Sequence, residues 1–390
     1  MSAEIRPAHS PLGASGAERW MNCPGSVTLL KELDLPESDE PDYRQLGTHA
    51  HALAAECLET NTDAWEHAGQ LIEGIEVSVE TCNAVQVFLD ECRSIIPTDG
   101  TPYTVFIEKG FTSPVHPLFY GTTDFAVVCG KRVSVRDYKH GEGIAVDVEE
   151  NPQVRYYGYG IIQDLGEVEE IDYAIVQPRG FHPDGVIRRW GESAASLRSW
   201  VSETLVPAML LTEQDHGLSA GDWCRFCPAK LVCPLLTDLF KAACLADPKQ
   251  VVTLRDEQVF LNYNYIKGVK FYIKALEDHT FNRLNAGADG TGVVKLVNKK
   301  ADRVWKPEAS VLFKSRFGDD AFTKPELKSP AQMSEISPVA KELVKEYAFT
   351  PESGLTVAPW SDKRGAVAPQ SAAAKFGTIL AGAVDAGTPG

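Results

Sequence analysis

The chain has 390 residues, 38 of them Lys or Arg against 54 Asp or Glu, for a formal charge of −16. With 44% hydrophobic and 24% charged residues it has the composition of a folded globular protein, which excludes fibrous and wholly disordered classes. No apolar run approaches the roughly 18–20 residues of a membrane-spanning helix, and the opening MSAEIRPAHSPLG lacks a basic stretch followed by an apolar one, so a cytoplasmic chain of two or three domains is expected.

Residues 17–33 (AERWMNCPGSVTLLKEL) read as a short helix around Cys23, followed by an acidic, Pro-containing loop. Helical spacing of His51, Leu53, Ala54 and Leu58 marks a helix from near Leu46, and a second is expected across Ile75–Ile96, stopped by Pro97. The pattern then changes to period two. Residues 104–111, 121–130 and 132–141 are three β-branched or aromatic runs separated by turn residues, which predicts a meander. Residues 148–166 return to helical spacing, with Asn151 as cap and Pro152 at the first helical position. Residues 170–180 read as a further strand and 192–211 as a helix with Trp200 and Leu205 on its apolar face. This order of elements belongs to the α/β or α+β classes. A helix-rich stretch follows at about Leu254–Asn285, then a polar region with scattered Lys, Pro and isolated aromatics, and residues 366–390 are Ala/Gly-rich and expected to be disordered.

Acidic total charge argues against a protein that coats nucleic acid generally. Charge is unevenly spread, however: residues 31–80 hold 13 acidic and 2 basic side chains, whereas residues 290–345 hold 11 basic and 7 acidic. Binding to nucleic acid would then be local, at a site itself made of carboxylates.

Such a site is suggested by Asp124 in GTTDF and by Asp137 and Lys139 in VRDYKHG. Alternation along a strand puts Asp137 and Lys139 on one face, and Asp124 on the preceding strand can lie beside them. Two carboxylates that close repel unless a divalent cation holds them, which makes a candidate hard-metal site with a lysine placed to orient or deprotonate water. By itself D-x-K also describes a solvated salt bridge. Two further pieces flank it: Gly47-Thr48-x-x-His51 opening a helix, and Gln153 with Tyr157, four residues apart on one helix face. Glu108, at a strand end, can also face the site or be solvated.

Nine cysteines in a reducing compartment are core thiols or metal ligands. Cys57, Cys82, Cys92, Cys129 and Cys244 stand singly among apolar neighbours and read as small buried hydrophobes. Cys224, Cys227 and Cys233 are clustered in GDWCRFCPAKLVCP, and with Cys23 in WMNCPGS they require another explanation.

Taken in order, G-T-x-x-H, G-T-x-D, D-x-K and Q-x-x-x-Y resemble the motif series of the RecB-like nucleases of the PD-(D/E)XK superfamily. The resemblance covers about residues 10–240 and implies an α/β, restriction-endonuclease-like core with a mixed central sheet flanked by helices. It also implies a metal-dependent DNA nuclease, most simply an exonuclease. His51, Asp124, Asp137 and the carbonyl of Tyr138 would bind Mg²⁺ or Mn²⁺, Lys139 would position the water, and Gln153 and Tyr157 would support the site or touch DNA. The cysteine spacing resembles the iron–sulfur staple of AddB-type helicase-nucleases and CRISPR-associated RecB-like exonucleases. Cys23, Cys224, Cys227 and Cys233 would then hold a [4Fe–4S] cluster, with a structural zinc as the chemical alternative on the same ligands. More closely, the phrases RWMNCPGS, GTHAH, DYKHG, QPR, WCRFCPAKLVCP and WSDKRGAV resemble a phage- and prophage-encoded family of uncharacterised proteins, which implies DNA and phage replication or recombination proteins as partners.

The implied domains are a nuclease core over 1–245, a helical extension over 246–286, a region of open role over 287–365 and the tail. Basic residues interleaved with Trp305, Phe313, Phe317 and Trp360 suit either a DNA-guiding or docking arm, or a solvated peripheral extension. Two rival functions use the same residues. His49-x-His51 on a strand would suggest an amidohydrolase-type metal site, although its flanks are helical. A metal-stapled DNA-binding or recruitment module with a degenerate site is the second, and the intact D…D-x-K speaks against it.

Overall fold

The computed structural model of the protein describes residues 9–33, 42–214, 216–246, 254–300, 303–323, 326–334, 336–349, 351, 355–359 and 365–367. They fall into two compact units, Met1–Tyr272 and Ile273–Gly390, divided within the long helix Asp256–Asn285. No helix among the described residues is long and apolar enough to cross a membrane.

Helices α1 (Ala17–Asn22), α2 (Gly25–Leu33) and α3 (Asp42–Thr60) open the first unit. A small hairpin of β1 (Leu71–Ile72) and β2 (Ile75–Glu76) and then α4 (Val79–Ser94) lead into the main sheet. Its strands are β3 (Tyr103–Thr112), β4 (Tyr120–Cys129), β5 (Arg132–Tyr138), β6 (Glu170–Val176) and β7 (Ile187–Ser193), in that spatial order. β3, β4 and β5 form the antiparallel meander, β6 lies parallel to β5, and β7 pairs antiparallel with β6. Parallel neighbours need a crossover, and α5 (Pro152–Ile162) supplies it. The unit is therefore α/β, a five-stranded mixed central sheet flanked by helices.

Strand alternation divides the core in two. Val133, Val135, Ile171 and Tyr173 pack with Val154, Tyr156 and Ile161 of α5 on one face. Phe125, Val127, Tyr138 and Val176 pack with Leu53 of α3 and Val85, Phe88 and Leu89 of α4 on the other. α5 begins as its sequence dictates: the Asn151 side chain accepts the Gln153 N–H, and Pro152 takes the first turn. Glycine lets this helix press onto the sheet, since a Cβ at Gly160 would stand 2.5 Å from the Phe111 ring.

Two expectations are corrected and one strand is added. The helix drawn from Ile75 starts at Val79, after the Ser78 cap, because Glu73 and Gly74 (φ +49° and +76°) close the β1–β2 hairpin instead. Strand β7 escapes hydrophobic patterning because its inward Arg188 is buried through hydrogen bonds to the carbonyls of Val146 and Gly185 and to Gln177 Oε1. The helix over 192–211 is α6 (Ala194–Trp200), a π-helical turn over Val201–Leu205, and α7 (Val206–Leu211); Pro207, which lacks an N–H, follows the π turn. α8 (Pro234–Leu245) and the helix Asp256–Asn285 follow the cysteine cluster.

In the second unit, Val294–Asn298 pairs antiparallel with Leu355–Pro359, and Val304–Trp305 with Ala348–Phe349. Phe313, Met333, Ala340 and Val344 form its core, with Trp305 and Phe317 packed against them. Three of the aromatics expected to interleave with basic residues thus face inward: Phe313 is fully buried, and the Trp305 indole N–H is spent on the Lys328 carbonyl. Trp360 and the expected disordered tail from residue 368 onward lie outside the described residues.

Candidate functional site

The β4–β5 ladder ends at Phe125 and Arg136, while β5 continues beside β6 and the Lys139 N–H reaches the Val176 carbonyl at 2.9 Å. Beyond that point β4 and β5 part. The next N–H facing β4, that of Tyr138, is accepted by Asp124 Oδ2 at 2.8 Å. Continuing the register one step sets Asp124 against Asp137, so the fork carries two carboxylates on the α5 face.

Asp137 is buried, and burial raises its pKa, with the Lys139 charge acting against that and Asp124 adding to it. Lys139 Nζ stands 3.0 Å from Asp137 Oδ2 as an ion pair, and donates to Asp137 Oδ1 at 3.2 Å and to Gln153 Oε1 at 2.9 Å. Gln153 Nε2 donates to Tyr157 Oη at 3.0 Å and to Asp137 Oδ1 at 3.3 Å. Asp137 Oδ2 is left buried without a hydrogen bond. That oxygen's partner is the Lys139 ammonium, and its remaining lone pairs could still be taken by a cation.

From the other face, His51 of α3 brings Nδ1 to 3.5 Å from Asp124 Oδ2, with its ring edge-on to Tyr138. β3 contributes a residue omitted from the expected ligand set. Glu108 lies between the pairs Ile107↔Phe125 and Lys109↔Thr123, opposite Asp124. Among the described residues, it is His51, Glu108 and Asp124 whose ligand atoms lie within 4.8 Å of one another. The Glu108 carboxyl is pushed up to about 7 by lost hydration and then by the Asp124 charge, with His51 opposing. Counting alternation from the inward Phe106 would have placed Glu108 on the Asp124 face.

Neighbouring groups frame the site. His49 turns away: its Nδ1 meets the Ile72 carbonyl at 2.9 Å, so the helical α3 does not present His49 and His51 together. His140 Nδ1 pairs with Tyr138 Oη at 2.8 Å, and burial followed by the Arg179 charge lowers its pKa to about 4. Gln177, the first residue of QPR, donates to the carbonyls of Gly141 and Ile144 at 2.9 and 2.7 Å and accepts the Val146 N–H at 3.1 Å. It thereby fixes the loop between Lys139 and Gln153.

The four clustered cysteines are all buried. Cys23 ends α1, where its Sγ accepts the Ser219 N–H at 3.3 Å, and Ser219 Oγ donates to the Asn22 carbonyl, a tie across 196 residues. Cys224 and Cys227 lie on consecutive turns, and Cys233 is the N-cap of α8, with Pro234 in its first turn. Burial pushes the Cys224 thiol up to about 11 and raises those of Cys227 and Cys233; neighbouring cysteine charges act in the same direction, while Arg19 opposes them at Cys227. These buried thiols are costly to ionise without a cation, and among the described residues no three of their sulfur atoms lie within 4.8 Å of one another. Of the other cysteines, Cys57, Cys82 and Cys92 are buried as expected, Cys129 is half-buried and Cys244 is exposed.

The chain belongs to the DUF2800 family, proteins of unknown function, whose model matches residues 9–365. It is similar to a solved structure described as the crystal structure of SSO0001, at 12% identity and a TM-score of 0.26, over 60% of this chain and 89% of that one.

Proposed function

We propose that this protein is a Mg²⁺- or Mn²⁺-dependent deoxyribonuclease with a RecB-like PD-(D/E)XK core, acting as an exonuclease in phage or prophage DNA replication or recombination. The observation that carries the reading is the β4–β5 fork, where Asp124 and Asp137 converge with a lysine held between Asp137 and Gln153. His51, Asp124, Asp137 and the Tyr138 carbonyl would hold the ion. When bound, it supplies Lewis-acid chemistry, making water a stronger nucleophile and neutralising charge on the phosphate.

The protein's own contribution is positioning. Lys139 is fixed by Asp137 on one side and Gln153 on the other, and its side chain is partly exposed, so its ammonium can hold a water in line with the phosphorus. Tyr157 fixes Gln153 in turn, so the lysine's position depends on a chain of hydrogen bonds into α5. Arrangement in advance of the reaction makes such groups effective as charge develops on the phosphoryl oxygens.

The buried cysteines support a [4Fe–4S] cluster, or zinc at the same ligands, as a staple between the N-terminal segment and the end of the core. Closing so long a loop removes entropy from the unfolded chain and stabilises the fold around the site. Incubation with end-labelled single-stranded and duplex DNA in Mg²⁺, Mn²⁺ or EDTA tests the activity: metal-dependent shortening is expected, and intact DNA under all three conditions would refute it.

A further inference from the structure

We infer that Glu108 is a ligand of the same ion as His51 and Asp124, and that the bound ion compensates for the left-handed backbone that β3 adopts at this residue. The inference deepens the nuclease reading and rests on its metal site.

Glu108 has φ +43°, yet the ladder is in register on both sides of it, at Ile107↔Phe125 and Lys109↔Thr123. No inserted residue accounts for the conformation, so this is not a bulge. The other non-glycine residues with positive φ among those described lie outside strands: Asn61 follows α3, Glu73 precedes Gly74 in the hairpin turn, and Glu150 precedes the α5 cap. Glutamate has no local hydrogen bond that favours this region, and in a strand the conformation is strained. From this position the carboxylate lies within 4.8 Å of both the His51 and Asp124 ligand atoms.

Charge sharpens the argument. The charged groups that face Glu108 are Asp124 and Glu59, both acidic, and His51. A strained backbone and two opposed carboxylates are both unfavourable in a finished apo-site. A divalent cation bound by His51, Glu108 and Asp124 offsets both, and an imidazole with two carboxylates suits Mn²⁺ as well as Mg²⁺. The Asp137–Lys139–Gln153 group then forms the opposite wall of the site, with Asp137 Oδ2 paired to the Lys139 ammonium at 3.0 Å.

The experiment uses the full chain and Mn²⁺ alone as probe, with affinity read by electron paramagnetic resonance and stability by melting in EDTA. Glu108→Gln keeps size and backbone but removes the ligand charge; about a tenfold or greater loss of Mn²⁺ affinity is expected, with no loss of metal-free stability. Glu108→Gly should lose the affinity and also melt higher than wild type in EDTA, because glycine relieves the left-handed strain. Wild-type Mn²⁺ affinity in Glu108→Gln would overturn the inference, as would a lower metal-free melting temperature in Glu108→Gly. If Glu108→Gln binds Mn²⁺ as wild type does while Asp124→Asn does not, and wild type cleaves DNA, the inference fails and the nuclease reading stands. Mn²⁺ binding that depends on Glu108, in a protein that leaves DNA intact, supports the inference and refutes the nuclease reading.

Discussion

Asp124 accepts the Tyr138 backbone N–H at the point where β4 and β5 separate, so one carboxylate both closes the ladder and opens the site. Its replacement therefore has two separable effects. Asp124→Ala should abolish cleavage and also cost about 1–3 kcal/mol, because a largely buried N–H loses its acceptor. Asp124→Asn retains an oxygen for that N–H and should abolish cleavage at nearly wild-type stability. Chemical denaturation beside a cleavage assay distinguishes the two; equal stability losses would mean that the hydrogen bond contributes nothing.

Lys139 should matter to turnover far more than to DNA affinity. If Lys139 acts on the attacking water as proposed, Lys139→Ala should lower kcat by about 10²–10⁴, with a much smaller change in DNA affinity. Tyr157→Phe, which disturbs Lys139 only through Gln153, should give a milder fall of the same kind. A Lys139→Ala protein with normal turnover and weakened binding would make the lysine a phosphate contact instead.

Acidity should affect the metal-free protein in a definite direction. The Glu108 carboxyl titrates at about 7 in the fold against an ordinary 4.5. Between those values the unfolded chain has released the proton and the fold still holds it, so this residue's contribution falls as pH rises from about 4.5 to 7. His140, lowered to about 4, acts oppositely as pH rises from about 4 to 6.5, so the wild-type profile alone is ambiguous. The difference between wild type and Glu108→Gln isolates the carboxyl: in EDTA the variant's relative stability should grow from pH 5 to about 7 and then level off. A pH-independent difference would show that Glu108 titrates normally.

Much of the site was legible in the sequence because local signals and tertiary structure agree. Asn151 and Pro152 start α5 where they should, period two yields the meander, and Gln153 and Tyr157 meet as four-residue spacing requires. The unread parts depend on partners remote in sequence. Strand β7 hides its pattern behind Arg188, whose burial makes sense only once Gln177 and the Val146 carbonyl are beside it. Alternation could bring Glu108 to the Asp124 face, but no propensity predicts its left-handed backbone. The second unit's aromatics looked like a basic–aromatic surface, but Phe313 and Trp305 are turned inward by strands pairing across roughly 40 to 60 residues of chain.

Colour and stability should separate the cysteines. Anaerobically purified wild type should be brown, and Cys23→Ser should lose the colour and destabilise the first unit by releasing the N-terminal tie. Cys57→Ser should keep the colour, yet it buries a hydroxyl among apolar neighbours and should cost about 1–3 kcal/mol. Colourless wild-type protein with stoichiometric zinc would retain the four-thiolate site and exclude the cluster.

The central claim is that the Asp124–Asp137–Lys139 fork hydrolyses DNA with a divalent cation. Its most direct test is single-turnover cleavage of end-labelled DNA in Mn²⁺ by wild type, Asp124→Asn and Asp137→Asn, each shown to be folded. The expected result is cleavage by wild type that EDTA abolishes, and none by either variant. Cleavage that persists in both variants, or intact DNA with metal-loaded wild type, would contradict the assignment.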